Sequence, residues 1–234
     1  MELSQATITG LWVSAVVIFV VGIGIYIGLQ IYARYIRKKY VQKSQKQAQI
    51  QIQTLRNDIG TLPYILKDEF KSKADDLDIE GLINTFYINK YTSLLVISKN
   101  DLFPFACLVE KVKLAGYYDL DEFDFIKYNE VRRKLPDQFM QPVLPYNNEN
   151  IDFVAIFNSD KNLNTLYENH YPNLNAKGML AINLKKYKNS EILELDKKLK
   201  NKNIKHEVSY ITNRFLFIVK SDIITDNLGV SNGQ

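Results

Sequence analysis

The chain is 234 residues long and carries 30 basic against 26 acidic residues, a formal charge of +4. So even a balance excludes a surface built throughout to neutralise nucleic-acid backbone, and nucleic acid is not an expected partner. The single cysteine, Cys107, excludes an intramolecular disulfide and suits a cytosolic domain.

The first element is apolar. Leu11 to Leu29 contains no charged residue, and Arg34, Arg37, Lys38 and Lys39 follow closely. Its 19 residues, at about 1.5 Å each, cover roughly 28 Å, close to the hydrocarbon thickness of a bilayer. A cleaved signal would carry its positive charges ahead of the apolar run, where only Glu2 stands. The pattern predicts a transmembrane helix over residues 10–33 with residues 1–9 outside. By the positive-inside rule the rest faces the cytosol, making this a single-pass cell-membrane protein. Gly24 and Gly28 form a G-x-x-x-G pair that permits a homodimer, although glycine is also common in membrane helices.

Between Arg34 and Arg56 seven basic residues meet no acid before Asp58, a topology signal and a contact for anionic lipid headgroups. Val41, Gln45, Ala48, Ile52, Leu55, Ile59 and Leu62 follow a heptad spacing. Two readings stay open for residues 34–62: a helical stalk, dimeric as a coiled coil, or a stripe that docks on the following domain. Pro63 ends this segment or starts the next.

Residues 63–222 read as one domain. Residues 64–90 form one or two amphipathic helices broken near Asp76 to Asp78. Ser93 to Ile97 is a fully apolar run, as a strand buried on both faces requires. Pro104 fits only the first turn of a helix, so a helix begins near Asn100 to Phe103. Asn100 or Asp101 caps it, and it continues to Gly116. Tyr117 to Leu120 is a second strand, with Asp121 capping a helix through Tyr128 and Val131. Phe139 to Leu144 is a weak strand containing Pro142, and Ile151 to Phe157 is the best strand in the chain. A helix from Asn162 to Tyr171, a Gly178 turn and a strand from Met179 to Leu184 follow. Ser190 caps a helix through Leu199. His206 to Thr212 and Arg214 to Lys220 are joined too tightly for a parallel crossover, so they pair antiparallel. Residues 223–234 read as a disordered tail. The layout is α/β with a closing hairpin.

This order and several strings resemble the class I S-adenosylmethionine-dependent methyltransferases over roughly residues 91–221. LLVIS at Leu94 to Ser98 is similar to the family's first strand and the glycine-rich loop that follows. YYDLDEFDFIKY looks like its second strand ending in an acid, and LPYNNENIDFVAIFN like the entry to its fourth. HYPNLNAKGMLAINL resembles the turn into its fifth, and the closing hairpin its sixth and seventh. Within that family the chain is similar to a small group of membrane-anchored methyltransferases of mollicutes.

The resemblance implies a Rossmann-like sheet and S-adenosylmethionine as cofactor, bound near Ser98, Asn100, Asp119 and Asn158. Asp119 matches the acid that holds the ribose hydroxyls; a capping or solvated acid is the alternative role. Asp152, at a strand entrance, is structural in either case. The departures are specific. Ser98 to Leu102 contains no glycine, Val96 stands where the family often has an acid, and no acidic pair follows the third strand. No zinc spacing or Walker loop is present, and no catalytic residue is identified. Two functions follow: a membrane-tethered methyltransferase, or a scaffold that keeps the fold without the cofactor. A turn filled by Lys99, Leu102 and Phe103 favours the scaffold.

Overall fold

The computed structural model describes residues 53–221 and, ahead of them, only Phe19, Ile23, Tyr26 and Tyr32, each helical and exposed. The rest of the expected span, the Gly24/Gly28 pair, the basic run, the heptad stripe before residue 53 and the tail lie outside the described residues. Among the described residues no helix is long and apolar enough to cross a membrane. The chain divides into two units, residues 1–54 and 55–234.

The second unit begins where the heptad stripe ends. Residues 53–55 are helical, but Arg56 to Leu62 form turns, with Gly60 at φ +74°. Leu55, Ile59 and Leu62 therefore share no helix face, and Leu62 is buried in the domain core. Pro63 opens the next element, α1 (Tyr64–Phe70), which ends at Lys71 in the left-handed region. Helix α2 (Asp76–Ile88) starts where the side chain of Asp75 accepts the amides of Leu77 and Asp78. The expected break near Asp76 to Asp78 thus falls at residues 71–75, because the capping acid is Asp75.

Strand β1 (Leu94–Ser98) is buried along its whole length. Leu94 and Val96 join the core under one helical layer, Leu95 and Ile97 the core under the other. That alternation is why a central parallel strand reads as an unbroken apolar run. Helix α3 (Phe103–Val112) carries Pro104 in its first turn and stops at Lys113, short of the expected Gly116. Gly116 instead opens β2 (Gly116–Tyr118), where a Cβ would collide with the Val109 side chain.

Helix α4 (Phe125–Lys134) is capped by Asp124, which accepts the Lys127 amide, and not by Asp121. The Asp121 amide is turned back to Asp119, so the chain is still in a turn there. Strand β3 (Val143–Pro145) lies after Pro142 and does not contain it; at a sheet edge Pro145 costs no ladder bond on its outer side. Strand β4 (Ile151–Asn158) and α5 (Leu163–His170, capped by Asn162) fall close to expectation. The Gly178 turn does not exist as such. Strand β5 (Leu174–Asn183) runs through it with a register shift, Ile151 facing Leu174 but Phe153 facing Met179. A Cβ on Gly178 would stand 2.8 Å from the Asn175 carbonyl. Helix α6 (Asn189–Asn201) starts after Lys188 with no side-chain cap, so Ser190 lies inside the helix. Strands β6 (His206–Tyr210) and β7 (Arg214–Val219) pair antiparallel, as their short connection requires.

The sheet order is β3-β2-β1-β4-β5-β7-β6, with only β7 running against its neighbours. Helices α1 to α4 cover one face and α5 and α6 the other. At one end, Asp78 of α2 accepts the amides of Thr212 and Asn213 at 2.9 and 3.0 Å, tying the hairpin turn to that layer. At the opposite end Asp152 accepts from Thr92 and Asn175, each at 2.7 Å. Burial pushes its carboxyl upward, but these donors win and hold it below the usual range. Asp152 is structural, as expected.

Candidate functional site

Strands β1 and β4 are neighbours whose following helices leave on opposite faces of the sheet. Open α/β sheets bind ligands outside the carboxyl ends of the strands at such a switch point. Ser98 ends β1 and Asn158 ends β4, and the two are paired across the ladder. The Asn158 side chain donates to the Lys99 carbonyl at 2.8 Å, while the Lys99 amide donates to the Asn158 carbonyl at 2.9 Å. Ser98 and Asn158 line a pocket of about 210 Å³ with Asp101, Asn183, Asp75 and Lys185. That is below the roughly 300–1,000 Å³ of a typical small-molecule site.

The turn after β1 replaces glycine by other means. Asn100 adopts φ +65°, the left-handed conformation that asparagine tolerates better than most residues. Ser98 Oγ donates to the Asp101 carbonyl at 2.5 Å. Asp101 accepts the Phe103 amide at 3.2 Å and the Ser72 hydroxyl at 2.7 Å, so it serves as a helix-terminal acceptor just ahead of Leu102. Leu102 and Phe103 do not fill the cleft; both are buried in the core under α1 to α4. Lys99 points to Asp160, 2.6 Å away.

Asp119 stands directly after β2, outside the pocket that holds Ser98 and Asn158. Its Oδ1 accepts the Asp121 amide at 2.9 Å and its Oδ2 meets Lys161 Nζ at 2.9 Å. Of the four sequence-predicted residues, Ser98 and Asn158 come together, while Asn100 and Asp119 do not line their pocket. The residues that sequence reasoning missed belong to the loop after β4. Ser159 donates to Glu122 Oε1 at 2.7 Å in a buried contact. Asp160 receives Lys99 and Lys186; their ammonium groups hold its carboxyl below the usual range, and Asp160 in turn raises Lys99. Lys161 reaches Asp119. The signal was the polar triplet Ser159-Asp160-Lys161 at the end of the best strand.

Two buried residues beside this site keep polar atoms without a hydrogen bond among the described residues. Glu122 is 7% exposed and its Oε2 has no hydrogen bond; His170, at the end of α5, has none on either ring nitrogen. Burial pushes the His170 imidazole down to about 4, against the weaker pull of Asp119. A larger pocket, about 460 Å³ between α2 and strands β5 to β7, contains none of the sequence-predicted site residues.

No family model matches this chain, and no curated protein matches it. Solved structures do. An O-methyltransferase from Bacillus cereus in complex with S-adenosylhomocysteine aligns with a TM-score of 0.53 at 11% identity, over 72% of this chain and 96% of that one. A methyltransferase from Geobacter sulfurreducens gives 0.49 at 13%, over 64% and 81%. An O-methyltransferase of tomaymycin synthesis from Streptomyces achromogenes, in complex with S-adenosylmethionine, gives 0.49 at 8%, over 67% and 86%. The first of these, at 0.53, establishes a Rossmann-like α/β fold of the methyltransferase kind, and fold alone does not carry chemistry.

Proposed function

We propose that this chain is an S-adenosylmethionine-dependent methyltransferase, tethered by its apolar N-terminal segment so that the domain works at the cytoplasmic face of a membrane. The single observation that carries the reading is the position of Asp119, the first residue after β2, in a sheet of order β3-β2-β1-β4-β5-β7-β6. These residues are the ones that would hold the cofactor. Asp119 supplies a carboxylate for hydroxyl groups, the Ser98 to Asp101 turn keeps a left-handed residue where glycine usually serves, and Asn158 ends β4 at the switch point. When bound, S-adenosylmethionine supplies an electrophilic methyl group; the residues named here would bind and orient it. Such transfer depends chiefly on alignment, so a site without a general base is no obstacle. The tether restricts the acceptor to a lipid, a membrane protein or a small molecule near the inner face. The Gly24/Gly28 pair permits a homodimer.

A second reading, a non-catalytic scaffold on the same fold, is favoured by one observation: the amides of the turn after β1 are already taken, Lys99 by the Asn158 carbonyl, Asp101 by the Ser98 carbonyl and Phe103 by the Asp101 side chain. Isothermal titration of the full chain in detergent micelles with S-adenosylhomocysteine separates the two. Saturable binding that Asp119→Asn weakens at least tenfold supports the enzyme. Absence of heat at millimolar ligand leaves the scaffold.

A further inference from the structure

The loop between β4 and α5 is stapled to the loop between β2 and α4 across the end of β1. Strands β2 and β4 flank β1, so they run about 9–10 Å apart at two strand spacings. A lysine and an aspartate side chain reaching toward each other span that gap, and Lys161 and Asp119 do so at 2.9 Å. The pair is sheltered, with side chains 25% and 13% exposed. A second staple lies alongside it, Ser159 Oγ to Glu122 Oε1 at 2.7 Å. Ser159 also accepts the Lys161 amide at 3.0 Å, and the Tyr187 hydroxyl donates to the Lys161 carbonyl at 3.1 Å, so the loop is held at both side chain and backbone.

The consequence is chemical. Both carboxylate oxygens of Asp119 already carry a donor: one takes the Asp121 amide and the other, on the ligand side, the Lys161 ammonium. Meanwhile Glu122, from the same loop, keeps one buried carboxylate oxygen with no donor. A buried acceptor left open costs stability, which points to a donor that arrives from outside the described residues. We propose that Lys161 is an internal competitor for the ribose position: the loop of Ser159, Asp160 and Lys161 forms a latch. It must release Asp119 before a ligand's paired hydroxyl groups can bond to Asp119, with the open oxygen of Glu122 as the second acceptor. This rests on the cofactor reading above and adds its regulation: the ligand-free site is closed by the protein's own cation.

The test compares the full-length wild type and Lys161→Met in detergent micelles, titrated with S-adenosylhomocysteine at low and at high ionic strength. Circular dichroism and a thermal melt establish that the variant is folded. Lys161→Met binds about tenfold more tightly, as expected if the latched form holds about nine-tenths of the wild-type population. Salt screens the partly sheltered Lys161 pair only in part, so wild-type affinity rises modestly with ionic strength while that of the variant stays flat. Equal affinities with equal salt dependence overturn the latch and leave the cofactor reading standing. No binding by either protein at millimolar ligand overturns both.

Discussion

Arg56 and Glu80 meet inside the domain: the guanidinium Nη1 lies 2.8 Å from Glu80 Oε1, with the two side chains 2% and 11% exposed. Asp58 and Asn84 complete the arginine's coordination at 2.9 and 3.0 Å. The pair fastens the segment after residue 55 to α2. It is a buried charge pair, and its worth depends on both members staying. Arg56→Met is expected to destabilise the domain by about 3–5 kcal/mol, because Glu80 is left buried and unpaired. The double variant Arg56→Met, Glu80→Leu should recover most of that loss. Urea denaturation of all four members of the cycle measures the coupling, and additive losses would refute it.

His170 is buried and neutral, and its ring nitrogens find no partner among the described residues. Its imidazole is pushed from 6.5 down to about 4, chiefly by burial. The folded state therefore binds fewer protons than the unfolded state between those values. The stability it contributes is complete above pH 6.5 and is lost as pH falls toward 4, at about 1.4 kcal/mol per unit. His170→Phe removes this dependence. Its unfolding free energy relative to wild type should climb steadily from pH 6.5 to 5, and parallel profiles would contradict the assignment.

Gly116 faces Val109 so closely that no Cβ fits without moving the valine. Gly116→Ala should cost about 1–3 kcal/mol through overpacking. Adding Val109→Ala opens the space, so the double variant should lose less than the sum of the two single losses. Strict additivity in thermal or urea unfolding would count against the contact.

Cys107 is fully buried in α3, and burial pushes its thiol up to about 12. Reaction with a thiol reagent at pH 8 should therefore be slow in native buffer and complete on adding denaturant. Fast native labelling would show that α3 opens far below the global unfolding free energy.

Much of the fold was legible because its signals are local. The apolar run Leu94 to Ile97 and the string Ile151 to Phe157 announce buried parallel strands, and Pro104 places the start of α3 within a turn. The misplaced features are those where a neighbour in space overrules the local pattern. Gly178 reads as a turn, yet β4 on one side and β7 on the other carry β5 through it as a bulge. Asp121 reads as a cap, yet its amide is drawn back to Asp119 and the helix waits for Asp124. Leu55, Ile59 and Leu62 read as one helical seam, yet Arg56 finds its partners on α2 and bends the chain away.

The candidate site divides in the same way. The sequence by itself determined that an acid follows the second strand, that no glycine follows the first, and that Asn158 closes the best strand. Each is a statement about one position within one element. Only the tertiary structure decided that Asp119 faces Lys161, 42 residues away, and that Glu122 keeps a buried oxygen open. The reason is the sheet order: β1 lies between β2 and β4, so two loops distant in sequence end within reach of one lysine side chain.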